Sequence, residues 1–220
     1  NWYKFQYKTK KVDAIFNSVE EKKIKVQKSN YFKKKYNLRN DQIICIYQGI
    51  LAENRGVELI INSFLKSSNN KLVAIFIGHG PLTNYVKKIS KNNKKIFYHK
   101  TIKNENLISL ISSADVGFTL MKNNCLSHYY CLPNKFFEYL AAKLFVIVNP
   151  LKELKFLVNK NNLGLVLKNQ SDSHFCTSVN NLLKKNLKKY KKNSLNFSLK
   201  NSWEKQEDKM KKIYNKIINN

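Results

Sequence analysis

Six short apolar runs, separated by stretches of a different periodicity, constrain the fold of this chain more than any other feature. They span residues 43–47, 72–77, 96–99, 116–120, 146–148 and 163–167, and they are rich in β-branched residues. Most of the runs are continuously apolar rather than alternating, which is typical of strands buried on both faces of a parallel sheet. The runs therefore predict an α/β fold built on such a sheet.

The stretches between the runs have the periodicity of amphipathic helices. In the first stretch, apolar residues recur at the spacing i, i+3, i+4, i+7, i+8, namely Val57, Ile60, Ile61, Phe64 and Leu65. Further helices are predicted around 82–89, 107–111, 135–142 and 154–158. Alternating strands and helices indicate a Rossmann-like domain with helices on both faces of the sheet. Because ligands of such sheets bind at the carboxyl ends of the strands, the loops after the strands are the predicted site.

The two ends of the chain differ from its centre. Residues 1–40 are rich in lysine and aromatic residues without a clear period, and residues 169–220 have a helical pattern that follows the central domain, 41–168. Forty residues are fewer than a second domain of this kind needs, and the chain begins at Asn1 rather than Met. We therefore expect residues 1–40 to be the end of a missing N-terminal domain and a linker.

A large excess of positive charge has two interpretations. The chain carries 41 Lys and Arg against 14 Asp and Glu, a net charge of +27, which suggests a nucleic acid or an anionic membrane as a partner. However, only Arg39 and Arg55 are arginines, and the lysines are spread along the whole chain. This pattern favours the bias of an AT-rich coding sequence over specific nucleic-acid recognition. Weak attraction to anionic lipid follows in either case.

The cysteines and the length of the apolar runs bear on location. Cys45, Cys125, Cys131 and Cys176 have no metal-ligand spacing, and we interpret them as reduced thiols, with Cys45 in the core. No apolar run approaches the roughly 20 residues of a membrane span. We expect a cytoplasmic protein that makes peripheral contact with the inner face of the cell membrane.

The most specific motif is LPNKFFEYLAA at residues 132–142, followed by VIV at 146–148. It resembles the PNKxFEYLAAGxPVI signature of bacterial family 4 glycosyltransferases, which are retaining GT-B enzymes. Four further segments resemble that family in its order: YQG at 47–49 with Arg55-Gly56, IGHGP at 77–81, SADV at 113–116 and SWE at 202–204. The resemblance covers about residues 43–217. It implies the C-terminal half of a GT-B fold, with residues 41–168 binding a nucleotide sugar and residues 169–220 packing back toward the interdomain cleft.

The resemblance also implies an activity. A sugar would pass from a nucleoside-diphosphate sugar to a hydroxyl acceptor with retention of configuration, in polysaccharide or glycan synthesis. The glycan or lipid-linked acceptor would bind through the missing N-terminal domain. No cofactor or metal is expected, and no catalytic residue is identified, because a front-face mechanism needs no enzymatic nucleophile. Two alternatives stay open: another GT-B enzyme such as a sugar-nucleotide epimerase, and a basic nucleic-acid-binding protein.

The candidate diphosphate site combines two predicted helix starts, at Arg55-Gly56 and at Asn134-Lys135. Helix N-termini present free N–H groups and a partial positive charge that suit a diphosphate. Arg55 adds a fork of donors for phosphate oxygens, and Lys135 supplies a second charge.

Other candidate contacts surround this diphosphate site. Glu138 lies one turn beyond Asn134, where its carboxylate can accept hydrogen bonds from both ribose hydroxyls. The remaining candidates are Gly49, Gly78 and Gly80 for close backbone approach to the donor, and His99, His128, Tyr129 and Tyr130 for the base or the sugar.

Several positions depart from the family pattern. Tyr130 stands where many members have a glutamate facing the donor sugar, and Ile50 stands where a basic residue is frequent. Lys143 replaces the glycine after the signature helix, and Phe145 replaces the proline that follows. A left-handed backbone at Lys143 would cost about 1 kcal/mol relative to glycine.

Overall fold

The computed structural model describes residues 2–9, 11–25, 27–169 and 171–218. Its centre is a parallel sheet of six strands in the order β3-β2-β1-β4-β5-β6. The strands are β1 (Ile43–Gln48), β2 (Leu72–Ile77), β3 (Ile96–His99), β4 (Val116–Thr119), β5 (Phe145–Val148) and β6 (Gly164–Val166). The strand order reverses between β1 and β4, and this position places a crevice at the carboxyl edge of the sheet.

Helices cover both faces of the sheet and both ends of the chain. They are α1 (Trp2–Gln6), α2 (Glu21–Ile24), α3 (Tyr31–Lys35), α4 (Val57–Lys66), α5 (Thr83–Lys91), α6 (Asn104–Ile111), α7 (Leu126–Tyr130), α8 (Asn134–Ala141), α9 (Lys152–Asn161), α10 (Asp172–Asn180), α11 (Leu187–Lys200) and α12 (Trp203–Ile218). A short 3₁₀ turn, Asn181–Lys184, joins α10 to α11. In the described part of the chain, no helix has the length and apolar character needed to cross a membrane.

Alternate residues of each strand enter two separate hydrophobic layers. On β1, Ile44 and Ile46 pack with α6, α8 and α9, whereas Cys45 and Tyr47 pack with α4, α5 and α10. All six residues of β2 are buried. Burial on both faces explains why the strands appear in the sequence as continuous apolar runs. The predicted fold class, a Rossmann-like parallel sheet with helices on both faces followed by C-terminal helices, is confirmed.

Two predicted irregular regions contain helices. The loop before the signature motif includes α7, Leu126–Tyr130, and residues 1–40 include α1, α2 and α3. These helices have four or five residues each, which is too short for an apolar period to be visible. Ile24 and Phe32 of the N-terminal part are buried in the same layer as α8.

Helix α12 holds the segment that precedes α2. The Trp203 amide donates to the Val19 carbonyl over 3.0 Å. The Glu204 carboxylate accepts from the Glu21 amide over 3.0 and 3.1 Å, at the first residue of α2. The SWE motif at 202–204 therefore joins the two ends of the described chain.

The aspartate of the SADV motif performs a structural task at the amino edge of the sheet. Asp115 accepts from the Ile44 amide over 3.0 Å, and its other oxygen lies 2.6 Å from Lys191 Nζ and 3.2 Å from Lys28 Nζ. Burial raises the pKa of Asp115, but Lys191, the Ile44 amide and Lys28 together hold it below its ordinary value. Asp115 thus connects β1, α11 and the N-terminal part from within the core.

Two of the departures from the family pattern have structural consequences. Lys143 has a φ of 63°, so the predicted left-handed backbone after α8 is confirmed. The Phe145 amide donates to the Asp115 carbonyl over 3.0 Å, a bond that proline could not make. The Phe145 ring packs edge-on against Tyr190, with ring centres 4.8 Å apart.

Candidate functional site

The loops after β1, β2 and β3 meet the side of α8 in a cleft at the carboxyl edge of the sheet. The cleft has a volume of about 260 Å³. Its polar lining includes Gln48, Gly49, Gly78, His79, Asn104 and Glu138. Three of the predicted site residues, Gly49, Gly78 and Glu138, therefore lie together.

The glycines of the cleft allow its loops to pack backbone against backbone. Gly49, Gly78 and Gly80 have φ values of 127°, 145° and 148°. A Cβ on Gly78 would collide with the Gly49 carbonyl oxygen, and a Cβ on Gly80 would lie 2.6 Å from the Leu51 carbonyl oxygen. The loops after β1 and β2 therefore require glycine for their own contact. The predicted approach of these glycines to a ligand stays a prediction.

Lys135, the second residue of α8, turns its side chain inward rather than into solvent. The residue is only 9% exposed, and its Nζ lies 4.1 Å from the centre of the Tyr47 ring. It also lies 3.3 Å from where a Cβ on Gly49 would stand, so glycine leaves the space that the ammonium group occupies. Burial lowers the pKa of Lys135 to about 7, assisted by the charge of Arg55 and opposed by Glu138.

Arg55 lies in the turn between β1 and α4, between two residues with left-handed backbone. Asn54 has a φ of 60° and Gly56 a φ of 82°, and a Cβ on Gly56 would lie 2.5 Å from the Leu120 Cβ. The turn therefore packs closely against Leu120, the residue after β4. Because the Arg55 charge lowers the pKa of Lys135, the two cations share one region of the carboxyl edge.

Glu138 presents a carboxylate that is incompletely paired. Among the described atoms, its Oε2 is buried without a hydrogen-bond partner. Burial raises the pKa of Glu138, while a hydrogen bond from the Gln48 side chain and the charge of Lys135 act in the opposite direction. A buried acceptor without a donor is costly, which is the state expected of a group that a ligand satisfies.

Tyr139 and Gly117 position the residues around Glu138. The Tyr139 hydroxyl accepts from the Gln48 amide over 2.8 Å, and the Tyr139 ring is fully buried. A Cβ on Gly117 of β4 would lie 2.5 Å from that ring. The predicted site residues include none of Gln48, Gly117 and Tyr139, although Tyr139 stands inside the signature motif and Gln48 inside the YQG segment.

Asn134 is the first residue of α8 and faces a second cleft. Its Oδ1 accepts from Asn17 Nδ2 over 2.9 Å. This cleft, of about 320 Å³, lies between the N-terminal segment and α8, with Asn17, Asn134, Glu138 and Trp203 among its lining residues. Glu138 therefore borders both clefts. The contribution of Asn17 has no signal in the sequence, since it depends on a contact across 117 positions.

His99 faces α3 instead of the cleft. It is 3% exposed, and its Nδ1 lies 2.6 Å from the Lys100 carbonyl oxygen, which can only accept. Its Nε2 is therefore the acceptor, 3.0 Å from the Tyr31 hydroxyl and 3.4 Å from Lys35 Nζ. Burial lowers the pKa of His99, as do the nearby lysine charges. The predicted base contact remains untested, and the geometry gives His99 a packing role.

The other candidate contacts lie on α7. His128 Nδ1 is 3.1 Å from the Lys122 carbonyl oxygen, and the rings of Tyr129 and Tyr130 are 4.9 Å apart, edge to face. The lining of the cleft beside Glu138, as described, does not include these three residues. Their predicted sugar contacts stay predictions. The described residues also contain no group of three or more His, Cys, Asp or Glu placed to hold a metal ion.

Comparisons with known proteins identify the family and the fold of this chain. The model of the family "Glycosyl transferases group 1" matches residues 28–197, and no curated protein matches the sequence. The structure resembles a glycosyltransferase from Rickettsia africae ESF-5, with a TM-score of 0.76, 17% identity, and coverage of 100% of this chain and 61% of that one. It also resembles the sucrose-phosphate synthase tll1590 from Thermosynechococcus elongatus, with a TM-score of 0.75, 16% identity, and coverage of 99% and 56%.

A third solved structure is Anabaena Alr3699/HepE in complex with UDP. The TM-score is 0.73 and the identity 10%, with coverage of 93% of this chain and 57% of that one. This chain thus spans 56% to 61% of the length of these three structures. At such identities the similarity is one of fold, and it agrees with the Rossmann-like domain of a GT-B glycosyltransferase.

Proposed function

Because this chain belongs to the group 1 glycosyltransferases, we propose that its carboxyl-edge cleft binds a nucleoside-diphosphate sugar as the donor for glycosyl transfer. The observation that carries the proposal is the arrangement on α8. The incompletely paired Glu138 lines the cleft. Lys135, one turn earlier on the same helix, is buried with its Nζ beside Gly49, which also lines the cleft. A cation and an unsatisfied acceptor at this spacing suit a ligand that has a phosphate at one end and a diol at the other.

The charges suit a diphosphate in particular. Arg55 and Lys135 are both positively charged, and the Arg55 charge lowers the pKa of Lys135, so the two cations repel each other. A diphosphate between them would remove this repulsion and restore the charge of Lys135. The N-terminus of α8, with Asn134 as its first residue, would add backbone donors. The UDP complex of the structural relative from Anabaena is consistent with this ligand class.

The resemblance to family 4 supports a finer proposal. Transfer would proceed with retention of configuration, without a metal, and in polysaccharide or glycan synthesis. The positive groups at the carboxyl edge would offset the charge of the leaving diphosphate. We further propose that residues 41–168 form the donor domain, that residues 1–40 lead from an N-terminal domain, and that the acceptor binds there.

Titration calorimetry with a panel of UDP-, GDP- and dTDP-sugars tests the donor site directly. We expect one nucleotide class to bind, and Glu138→Ala to weaken its binding by roughly 1.5–3 kcal/mol, as for a charge-assisted hydrogen bond. Glu207→Ala is the matched control, because Glu207 lies on α12, where it pairs with Lys211 over 2.9 Å. Unchanged affinity of the Glu138→Ala variant for the preferred donor would reject the ribose assignment.

The domain assignment has its own test. We expect this 220-residue chain to bind donor without transferring sugar, because holding the acceptor beside the donor supplies a large part of the rate and the acceptor side would be absent. Product analysis with the preferred donor and a glycan acceptor measures transfer, and it separates transferase from epimerase chemistry. Glycosylation by this chain alone, at a rate typical of enzymes, would overturn the two-domain proposal.

A further inference from the structure

Residues 2–8 and one side of α9 form a surface on which aromatic rings alternate with lysines; we call it the aromatic–lysine face. In the first part, Tyr3 is 58%, Phe5 83% and Tyr7 63% exposed, and Lys4 and Lys8 between them are exposed as well. Large aromatic side chains rarely stand in solvent in such density without a partner.

The α9 part of the face is a stripe at the spacing i, i+4, i+8. It consists of Lys152, Phe156 and Lys160, all exposed, with Phe156 at 55%. Lys160 Nζ lies 5.2 Å from the centre of the Phe156 ring. Residues at this spacing lie on one side of a helix, so the stripe also presents a ring between two ammonium groups.

Tyr130 joins the two parts into one surface. Its ring centre lies 6.0 Å from that of Trp2 and 5.0 Å from Lys152 Nζ. Tyr130 ends α7, and α8 with Lys135 and Glu138 begins four residues later. The aromatic–lysine face is therefore adjacent in the chain to the elements that form the cleft.

We propose that the aromatic–lysine face is the surface on which the protein lies against an anionic lipid bilayer. The inference deepens the proposed function, because it places a lipid surface beside the donor site, where a lipid-linked acceptor would arrive. Tyrosine and tryptophan rings favour the headgroup level of a bilayer. Lysines between the rings attract anionic headgroups while their stems cover apolar surface.

The lysines favour a bilayer over a protein as the occupant of this face. Cores of protein–protein interfaces are enriched in aromatic residues but depleted of lysine, whereas this face places Lys4 beside Phe5 and Lys152 beside Tyr130. A second copy of the chain would also bring a net charge of +27 against +27, which repels. An anionic bilayer satisfies the rings and the ammonium groups together.

Co-sedimentation with vesicles tests the proposal through two charge-matched pairs of substitutions. Lys4→Glu with Lys152→Glu alters the face, and Lys188→Glu with Lys192→Glu makes the same change in net charge at exposed positions of α11. With vesicles of phosphatidylcholine containing phosphatidylglycerol at low ionic strength, we expect the first pair to weaken binding at least about tenfold, and the control pair about twofold or less. Equal losses would show diffuse attraction to the whole chain and would overturn the proposal.

Tryptophan fluorescence gives a second measurement that does not depend on charge. The chain contains two tryptophans, Trp2 and Trp203, so Trp203→Phe leaves Trp2 as the single reporter. We expect its emission to shift to shorter wavelength with anionic vesicles, and brominated lipids to quench it. Phe5→Ser with Phe156→Ser should reduce this response while the charge is kept. An unchanged Trp2 spectrum in samples that do sediment with vesicles would place the contact elsewhere and reject this face.

The result can be separated from the fate of the proposed function. Donor binding is measured by calorimetry without vesicles, and we expect the face variants to retain it, since none of the substituted residues lines the cleft beside Glu138. If the chain without substitutions binds vesicles but no donor, only the proposed donor site is rejected. Dimerisation in sedimentation velocity that Phe5→Ser with Phe156→Ser abolishes would identify a second copy as the occupant and overturn the lipid proposal.

Discussion

The ammonium nitrogen of Lys135 lies 4.1 Å from the centre of the Tyr47 ring, inside the protein and beside the turn at Gly49. Burial and the charge of Arg55 lower the pKa of Lys135 to about 7. Near neutral pH the residue is therefore divided between its charged and neutral forms. Beside the cleft there is thus a lysine that is only partly charged, and two measurable consequences follow from this state.

The first consequence concerns stability. We expect Lys135→Met to stabilise the fold, because methionine keeps the volume over the Tyr47 ring and removes a buried charge. Since the folded pKa of about 7 lies below the ordinary 10.5, the unfolded chain binds the proton more tightly. The destabilisation by Lys135 therefore grows as pH falls from 10.5 to 7 and is constant below 7. The gain should be roughly 3–5 kcal/mol at pH 7 and below about 1 kcal/mol at pH 10.

Urea unfolding of both proteins at the two pH values measures this difference. Lys88→Met, on the exposed side of α5, is the matched control and should change little at either pH. A gain from Lys135→Met that is the same at pH 7 and pH 10 would show that the lysine carries an ordinary pKa.

The second consequence is proton uptake on binding. A diphosphate beside Lys135 should raise its pKa, so binding above pH 7 should take up close to one proton at this residue. Affinity for UDP should then fall as pH rises from 7 to 9, by at most about tenfold per unit. Calorimetry at pH 8 in two buffers of different ionisation enthalpy counts the protons. Uridine, which has no phosphate, should take up none, and a proton count of zero for UDP would contradict the assignment of Lys135.

Arg55 should distinguish ligands with and without phosphate. We expect Arg55→Ala to weaken UDP binding by roughly 1.5–3 kcal/mol and uridine binding far less, because the guanidinium meets charge that the nucleoside lacks. Arg39→Ala removes the other arginine, which is ion-paired with Asp41 over 3.0 Å, and should leave both affinities unchanged. Equal losses for both ligands on removal of Arg55 would mean that it acts only on the local structure of the turn.

The left-handed backbone at Lys143 offers a stabilising substitution away from the site. We expect Lys143→Gly to stabilise the fold by about 1 kcal/mol, because its φ of 63° strains a residue with a Cβ but not glycine. Asn162→Gly, at a φ of 49° after α9, is the comparison, and its gain should be smaller because asparagine tolerates this conformation. Thermal unfolding measures both. Loss of stability in Lys143→Gly would show that the lysine side chain contributes more than the strain removes.

The sheet could be predicted from the sequence, but much of the site could not. Burial on both faces leaves a local signature in each strand, and the spacing of Lys135 and Glu138 is a local property of one helix. In contrast, the burial of Lys135 over Tyr47 joins residues 88 positions apart. The bond from the Phe16 amide to Gln206, which holds the N-terminal segment on α12, spans 190 positions. Such contacts have no periodicity that a sequence could reveal.

For His99, the sequence predicts the position of the residue but not the orientation of its ring. The prediction used its place at the end of β3, and the structure confirms that place. The direction of the ring depends instead on α3, which supplies Tyr31 and Lys35 to its Nε2. Since α3 has only five residues, its sequence has no periodicity that would predict the helix or its contact with His99.

Gly117 constrains which residues can stand at position 139. A side chain there would collide with the Tyr139 ring. The Tyr139 hydroxyl accepts a hydrogen bond from the Gln48 amide, next to Glu138. A larger residue at position 117 is therefore compatible with this packing only where position 139 is smaller, and a smaller residue at 139 would lack the hydroxyl. Positions 117 and 139 should accordingly covary among related sequences, because the lack of a side chain in the middle of the sheet is what lets the Tyr139 hydroxyl stay beside the cleft at Glu138.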